Sequence, residues 1–205
     1  MHIAILTFEG FNELDSLIAL GILNRVKKRG WRVSIASPTS HVRSMNGVLL
    51  ESQVSLREAS AADAVIVGSG IRTREVIEDE GLMAQLHLDP SRQLLAAQCS
   101  GALILAKLST LHGVPACTDL TTKPWVEQAG VTVLNQAFVA HGNVATAGGC
   151  LASQYLAFWI IARFNGIEAA QDALRYVAPV GEQEDYISRA MRNVMPYLSE
   201  AAVAG

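Results

Sequence analysis

Short, mostly apolar runs rich in Val, Ile, Leu and Ala punctuate the chain at residues 3–7, 32–37, 64–67, 94–97 and 144–147. A continuous apolar run of that length predicts a strand buried on both faces, the condition of a parallel sheet packed between two layers of helices. Between the runs, apolar residues recur at intervals of three and four over 14–28, 73–84, 100–108 and 151–164, so these stretches predict helices. Two more helical stretches, 167–176 and 185–198, are separated by Pro179-Val180-Gly181. Residues 42–54 break the alternation. Asn46-Gly47 at their centre predicts a β-hairpin with a type I′ turn, because the pair supplies two positive φ angles. The hairpin is expected as an antiparallel appendage to a mostly parallel α/β sheet. Residues 155–162 are apolar nearly all round and must be buried by the core or by a second subunit.

Composition narrows this picture. The chain has 205 residues, is 50% hydrophobic and 17% charged, and carries a net charge of −3. With no repeat, low-complexity tract or linker, a single domain over 1–205 is expected. A chain of this size buries roughly 70% of its unfolded surface and needs no disulfide staple. Its three cysteines, an odd number, point to a reducing compartment, and the opening residues lack the basic start of a secretory signal, so a cytoplasmic location is expected. The longest uncharged stretch, 128–162, contains Asn135, Gln136, His141, Asn143 and Gln154. It predicts core rather than a bilayer span. Slight acidity without a basic stripe argues against a nucleic-acid partner.

Ligands of open α/β sheets bind at the carboxyl ends of the strands, so chemistry is sought in the turns at 8–15, 68–73, 98–101 and 148–150. In Gln98-Cys99-Ser100-Gly101-Ala102 a strand ends on a thiol and small residues open a helix at once, the pattern of a nucleophile elbow. The competing reading of Cys99 is an inert cysteine packed like a small hydrophobe. Cys150 also ends a strand and opens a helix and is the competing nucleophile, although the two glycines before it account for its turn by close packing. Cys117 has no helix start after it and reads as core. The cysteine and histidine spacings match no metal site. Gly68-Ser69-Gly70-Ile71 lies between a strand and a helix, where backbone amides can polarise an anion, although a turn needing flexible residues explains it as well. It has no third glycine and follows the wrong strand for a dinucleotide fingerprint, so no nicotinamide cofactor is expected. Asp15, three residues past Asn12, fits ordinary helix capping and equally a proton carrier at the end of the first strand.

Four segments together resemble the ThiJ/PfpI superfamily, which includes the parkinsonism-associated deglycase and bacterial isonitrile hydratases. They are Phe8-Glu-Gly-Phe-Asn-Glu-Leu-Asp15, Asp63-Ala-Val-Ile-Val-Gly-Ser-Gly70, Cys99-Ser-Gly-Ala102 and Thr146-Ala-Gly-Gly149. The resemblance implies a flavodoxin-like three-layer sandwich, commonly a homodimer, with Cys99 as nucleophile or redox-sensitive thiol. It implies an acid after the first strand hydrogen-bonded to that thiol, and the spacing selects Asp15 over Glu13, as in the hydratases. Ser100 stands where the hydratases have Thr. Asp119 stands where many members have His, which weakens protease and deglycase readings, and the His-x-Glu of glutamine amidotransferases is absent. The reading that follows is a cofactor-free, isonitrile hydratase-like lyase acting on a small molecule. In it Cys99 attacks carbon, Asp15 shuttles the proton, and amides near Gly70, Ile71 and Ser100 polarise the substrate. The alternative is a non-catalytic thiol sensor or ligand-binding protein in which Cys99 is oxidised to a sulfinic acid beside Asp15.

Overall fold

The computed structural model describes residues 1–198; residues 199–205, the end of the expected single domain, lie outside the described residues. Among the described residues eight strands form, β1 (His2–Leu6), β2 (Arg32–Ala36), β3 (His41–Arg43), β4 (Leu49–Glu51), β5 (Ala64–Val67), β6 (Leu94–Gln98), β7 (Phe138–His141) and β8 (Val144–Ala147). The α-helices are α1 (Glu13–Leu23), α2 (Leu56–Ser60), α3 (Thr73–Glu78), α4 (Glu80–Met83), α5 (Gly101–Lys107), α6 (Lys123–Gln128), α7 (Ser153–Asn165), α8 (Ile167–Val177) and α9 (Gln183–Val194). The main sheet runs β2-β1-β5-β6-β8-β7, parallel except for the edge pair β7–β8.

Alternation along buried strands creates the three layers. Ile3, Ile5, Ala64, Ile66, Leu94 and Ala96 point to one face, where α1, α7, α8 and α9 cover them. Ala4, Leu6, Val65, Val67, Leu95 and Ala97 point to the other, where α5 and its neighbours pack. The result is a flavodoxin-like α/β sandwich, as the apolar runs predicted. Residues Tyr155–Ile161 of α7 are buried within this one chain, by the sheet and by α1, α8 and α9.

Several boundaries differ from the periodicity, each for a local reason. Helix α1 stops at Leu23 rather than 28, where Asn24 caps it and the Trp31 indole N–H donates to the Leu23 carbonyl at 2.9 Å. The stretch 73–84 is two helices, because Asp79 leaves helical geometry and its carboxylate accepts from the Leu82 N–H. The last helix ends before Pro196, and 195–197 close as a 3₁₀ turn. Strand β7 and helices α2 and α6 are additions. The hairpin β3–β4 is a separate two-stranded sheet. Its turn is also not type I′: Gly47 has φ +92, whereas Asn46 is not among the residues with positive φ. Ser44 pairs with Val48 around three loop residues, the wider hairpin turn with a single left-handed glycine. The hairpin is fastened to the loop after β1 through Gly10 N–H to Arg43 O and Met45 N–H to Phe11 O, both 2.8 Å.

Candidate active site

The loops after β1, β5, β6 and β8 meet at one end of the sheet because their strands are neighbours there. Strand β6 ends at Gln98, and Cys99 takes the turn with φ 45, a left-handed conformation that costs a residue with a Cβ about 1–2 kcal/mol. Its N–H is anchored on Ala147 O at 2.8 Å and its carbonyl accepts from Thr118 Oγ1 at 2.7 Å, so the turn is held from both sides. Gly101 follows because a Cβ there would lie 2.3 Å from Val67 O. The elbow pattern is thus realised, with the small residue explained by backbone approach.

Asp15 stands in the first turn of α1, only 1% exposed. The loops after β1 and β5 pair, Asn12 N–H donating to Ser69 O at 2.8 Å, and this sets the Ser69 hydroxyl on one Asp15 oxygen at 2.5 Å. The other oxygen accepts from Ser16 Oγ at 3.3 Å. Burial pushes the Asp15 carboxyl from 3.8 up to about 6, against the lowering effect of those two hydroxyls. Glu13, the rival acid, is held below its ordinary value by its own backbone amide and by Asn46 and Ser44 of the hairpin.

One carboxylate oxygen of Asp15 and the sulfurs of Cys99 and Cys150 all lie within 4.8 Å of one another. The direct Asp15–Cys99 hydrogen bond that the resemblance implied is not formed. The Cys99 sulfur instead receives Gln98 Nε2–H at 3.2 Å. Burial first, then the Asp15 charge, pushes the Cys99 thiol up to about 12, with the Gln98 contact acting in the opposite direction. At neutral pH the pair therefore rests as carboxylate and thiol. Cys117 is fully buried and is also raised to about 12 by burial, which fits its reading as core.

Other expected residues fall around this centre with altered duties. Ser100 Oγ accepts from the Gly70 N–H at 3.0 Å and lies 2.8 Å from Thr73 Oγ1. The Ile71 N–H donates to Gly10 O at 3.0 Å. Neither amide expected to face a substrate is therefore free, a difference that comes from the pairing of the two loops. The Ser100 N–H has no intramolecular acceptor among the described residues. Asp119 lines the cavity above Cys99, but one of its oxygens accepts from the Thr121 and Thr122 N–H groups, at 3.0 and 2.9 Å. That oxygen acts as a turn cap.

Cys150 is the residue whose place the sequence obscured. It begins a 3₁₀ turn, 150–152, leading into α7, and its sulfur accepts from Asn12 Nδ2 at 3.1 Å. Asn12 thus does two things, since its Oδ1 also caps α1 through the Leu14 N–H. Gln98 joins the two corners, its Nε2 donating to Gly149 O at 2.8 Å as well as to Cys99. Linear spacing did not suggest a metal site, yet the fold gathers two sulfurs and a carboxylate, a donor set suited to a soft cation.

Cys99 and Cys150 open on a cavity of about 410 Å³ whose mouth carries exposed Ile71 and Met45. No histidine lines it. A larger groove, about 780 Å³, reaches Cys150 from the α1, α7 and α8 side. Cys99, the only one of the two on the strained elbow, does not line that groove, so the smaller cavity is the one placed for its chemistry. Among the described residues, no helix is long and apolar enough to cross a membrane.

Comparison with known proteins follows this geometry. Residues 1–163 match the family model described as DJ-1/PfpI family. No curated protein sequence matches the chain. Among solved structures, Schizosaccharomyces pombe DJ-1 is similar at TM-score 0.74 and 13% identity, covering 87% of this chain and 100% of that one. Drosophila melanogaster DJ-1beta gives 0.72 at 22% identity, covering 86% of this chain and 96% of that one. A ThiJ/PfpI family protein from Pseudomonas syringae gives 0.75 at 18% identity, covering 100% of this chain and 90% of that one. At these identities the structural likeness speaks for the fold.

Proposed function

The chain belongs to the DJ-1/PfpI family, and from that premise we propose that it is a cofactor-free, cysteine-dependent enzyme acting on a small electrophilic carbon, with isonitrile hydration as the reaction. The observation that carries the reading is Asp15, buried with an oxygen within 4.8 Å of the elbow sulfur and raised to about 6, while no histidine lines the cavity on which Cys99 opens. A base is most effective when its pKa lies near the working pH, and this reaction asks one acid–base group to move one proton in each direction.

In the first step the Cys99 sulfur forms a bond to the terminal carbon of R–N≡C. Its proton passes through Asp15 to that carbon, giving the thioimidate Cys99–S–CH=N–R. Ser100 N–H is the donor we assign to the polarised substrate. Water then adds to the thioimidate carbon with Asp15 as base, the C–S bond breaks, and the proton returns to sulfur. The sum is R–N≡C + H₂O → R–NH–CHO, with no electron transfer and no co-reactant besides water. Exposed Ile71 and Met45 at the mouth suit an apolar R group. Formamide production from an aryl isonitrile, followed by chromatography in the wild type and in Asp15→Asn, tests the assignment. The variant is expected to lose turnover. Unchanged turnover would remove Asp15 from the mechanism.

The expected homodimer and cytoplasmic location belong to the same proposal. Sedimentation of the purified chain checks the first, with a mass of twice 21.9 kDa expected.

A further inference from the structure

The hydration reaction uses one sulfur, yet the site holds two. Cys150 forms no bond in that cycle, and as a packing residue it would have no need of an amide donor. Its sulfur is half-buried, receives Asn12 Nδ2–H at 3.1 Å, and lies within 4.8 Å of both the Cys99 sulfur and an Asp15 oxygen. The Cys99 sulfur carries the matching donor, Gln98 Nε2–H at 3.2 Å. At Cys99 the Gln98 donor acts against the burial that raises the thiol, and the two amides hold both sulfurs at the same spot.

We propose that Cys150 is a resolving cysteine, and that a hydroperoxide converts the site reversibly to a Cys99–Cys150 disulfide. Cys99 sulfur attacks the terminal oxygen of ROOH, the O–O bond breaks, ROH leaves, and Cys99 becomes a sulfenic acid while Asp15 takes up and passes on the thiol proton. Cys150 sulfur then attacks the Cys99 sulfur, the S–O bond breaks and water leaves. The balance is ROOH + two thiols → disulfide + ROH + H₂O; the hydroperoxide is reduced by two electrons and the thiol pair oxidised by two. A dithiol reductant restores the pair by exchange.

The backbone on the Cys150 side is suited to closure. A disulfide needs its sulfurs about 2.05 Å apart, so a χ1 rotation and a small shift of one corner are required. Gly149, just before Cys150, has φ +88 and open space about its Cα. Both corners carry tethers, Cys99 on Ala147 O and Thr118 Oγ1 and the Gly149 carbonyl on Gln98 Nε2–H and the Ala152 N–H, so closure on the Cys150 side exchanges the Asn12 and Gln98 contacts for the S–S bond. The disulfide would block the nucleophile while protecting it from the irreversible sulfinic state.

The test is non-reducing peptide mass mapping of the full chain after about three equivalents of hydrogen peroxide, enough for either a disulfide or a sulfinic acid, and it reads the thiols directly without depending on any substrate being turned over. The expected wild-type product is a Cys99–Cys150 cross-link about 2 Da below the two free peptides, lost on adding dithiothreitol. In Cys150→Ser, Cys99 is expected to go on to the sulfinic acid, about 32 Da heavier. Circular dichroism of that variant confirms that the fold is kept. A wild-type protein whose Cys99 reaches the sulfinic acid while Cys150 stays free would overturn the proposal, as would a cross-link that uses Cys117.

Discussion

The corners after β6 and β8 look alike in sequence, each a parallel strand ending near a cysteine that opens a helix, but the left-handed backbone angle falls on different residues. At the first corner it falls on Cys99 itself, with φ 45. At the second it falls on Gly149, with φ +88, and Cys150 follows in ordinary 3₁₀ geometry. A thiol on the strained position is fixed by its own backbone and held over the cavity. A thiol one residue later sits in ordinary turn geometry, with the left-handed angle carried by the glycine before it. In the proposed mechanism this difference separates the nucleophile from the accessory sulfur, although their sulfurs lie within 4.8 Å of each other.

The largest effect that would sharpen this contrast is on turnover. Cys99→Ala is expected to lower the rate of formamide release by at least about 1,000-fold, as removal of a nucleophile does elsewhere. Cys150→Ala keeps the nucleophile and loses the smaller share; equal losses at the two positions would erase the distinction.

Asp15→Asn comes next, with about a 100-fold loss expected for removing a general base. It also has a pH signature. In the wild type, kcat/KM should fall as pH drops through about 6, where Asp15 takes up its proton, and the variant should lack that limb. Stability should move in the opposite sense. Because the folded value of about 6 lies above the ordinary 3.8, the protonated carboxyl favours the fold below 3.8, and that contribution, on the order of 3 kcal/mol, is lost as pH rises through 6. Urea midpoints should therefore place Asp15→Asn above wild type at pH 7 and close to it at pH 4. A variant less stable at both would contradict the burial argument.

The glycines beside each corner give a smaller contrast. A Cβ at Gly101 would meet Val67 O at 2.3 Å and Gly68 O at 3.0 Å, both backbone atoms, whereas at Gly149 there is nothing within 4 Å. Gly101→Ala should cost about 3 kcal/mol through forced displacement of β5, and Gly149→Ala about 1–2 kcal/mol through its φ alone. Chemical denaturation orders them; the reverse order would count against the packing assigned to the elbow.

The smallest prediction isolates the backbone angle. Cys99→Gly should be more stable than Cys99→Ala by about 1 kcal/mol, since glycine accepts positive φ. At Cys150 the order should invert, because alanine suits a helical turn better. The same melting experiment on four variants reads both signs.

Much of the scaffold was legible in the sequence because strands buried on both faces are continuous in apolar residues. Runs 3–7, 64–67 and 94–97 became β1, β5 and β6 almost unchanged. Strand β7 was hidden by its neighbours: Phe138–His141 is four residues inside a long uncharged stretch, and only its partner β8 marks it as a strand. Turn chemistry was read too simply at Asn46-Gly47, where the alternation of the flanking residues did not fix the register. Cys99 stood out through Ser100 and Gly101, but its meeting with Asp15 followed from the family resemblance and not from spacing. The meeting of Cys150 with Cys99, the parts of Ser69 and Gln98, and the second role of Asn12 were missed for one physical reason. They reach the site through the neighbour relations β1–β5–β6–β8, which no local pattern in the chain encodes.

The most direct test of the account is to incubate an aryl isonitrile with wild type and Cys99→Ala side by side and measure the N-substituted formamide. The account predicts steady formamide release by the wild type and none above background from the variant, with both proteins folded. Release that survives in Cys99→Ala, or a folded wild type that releases none, would contradict it.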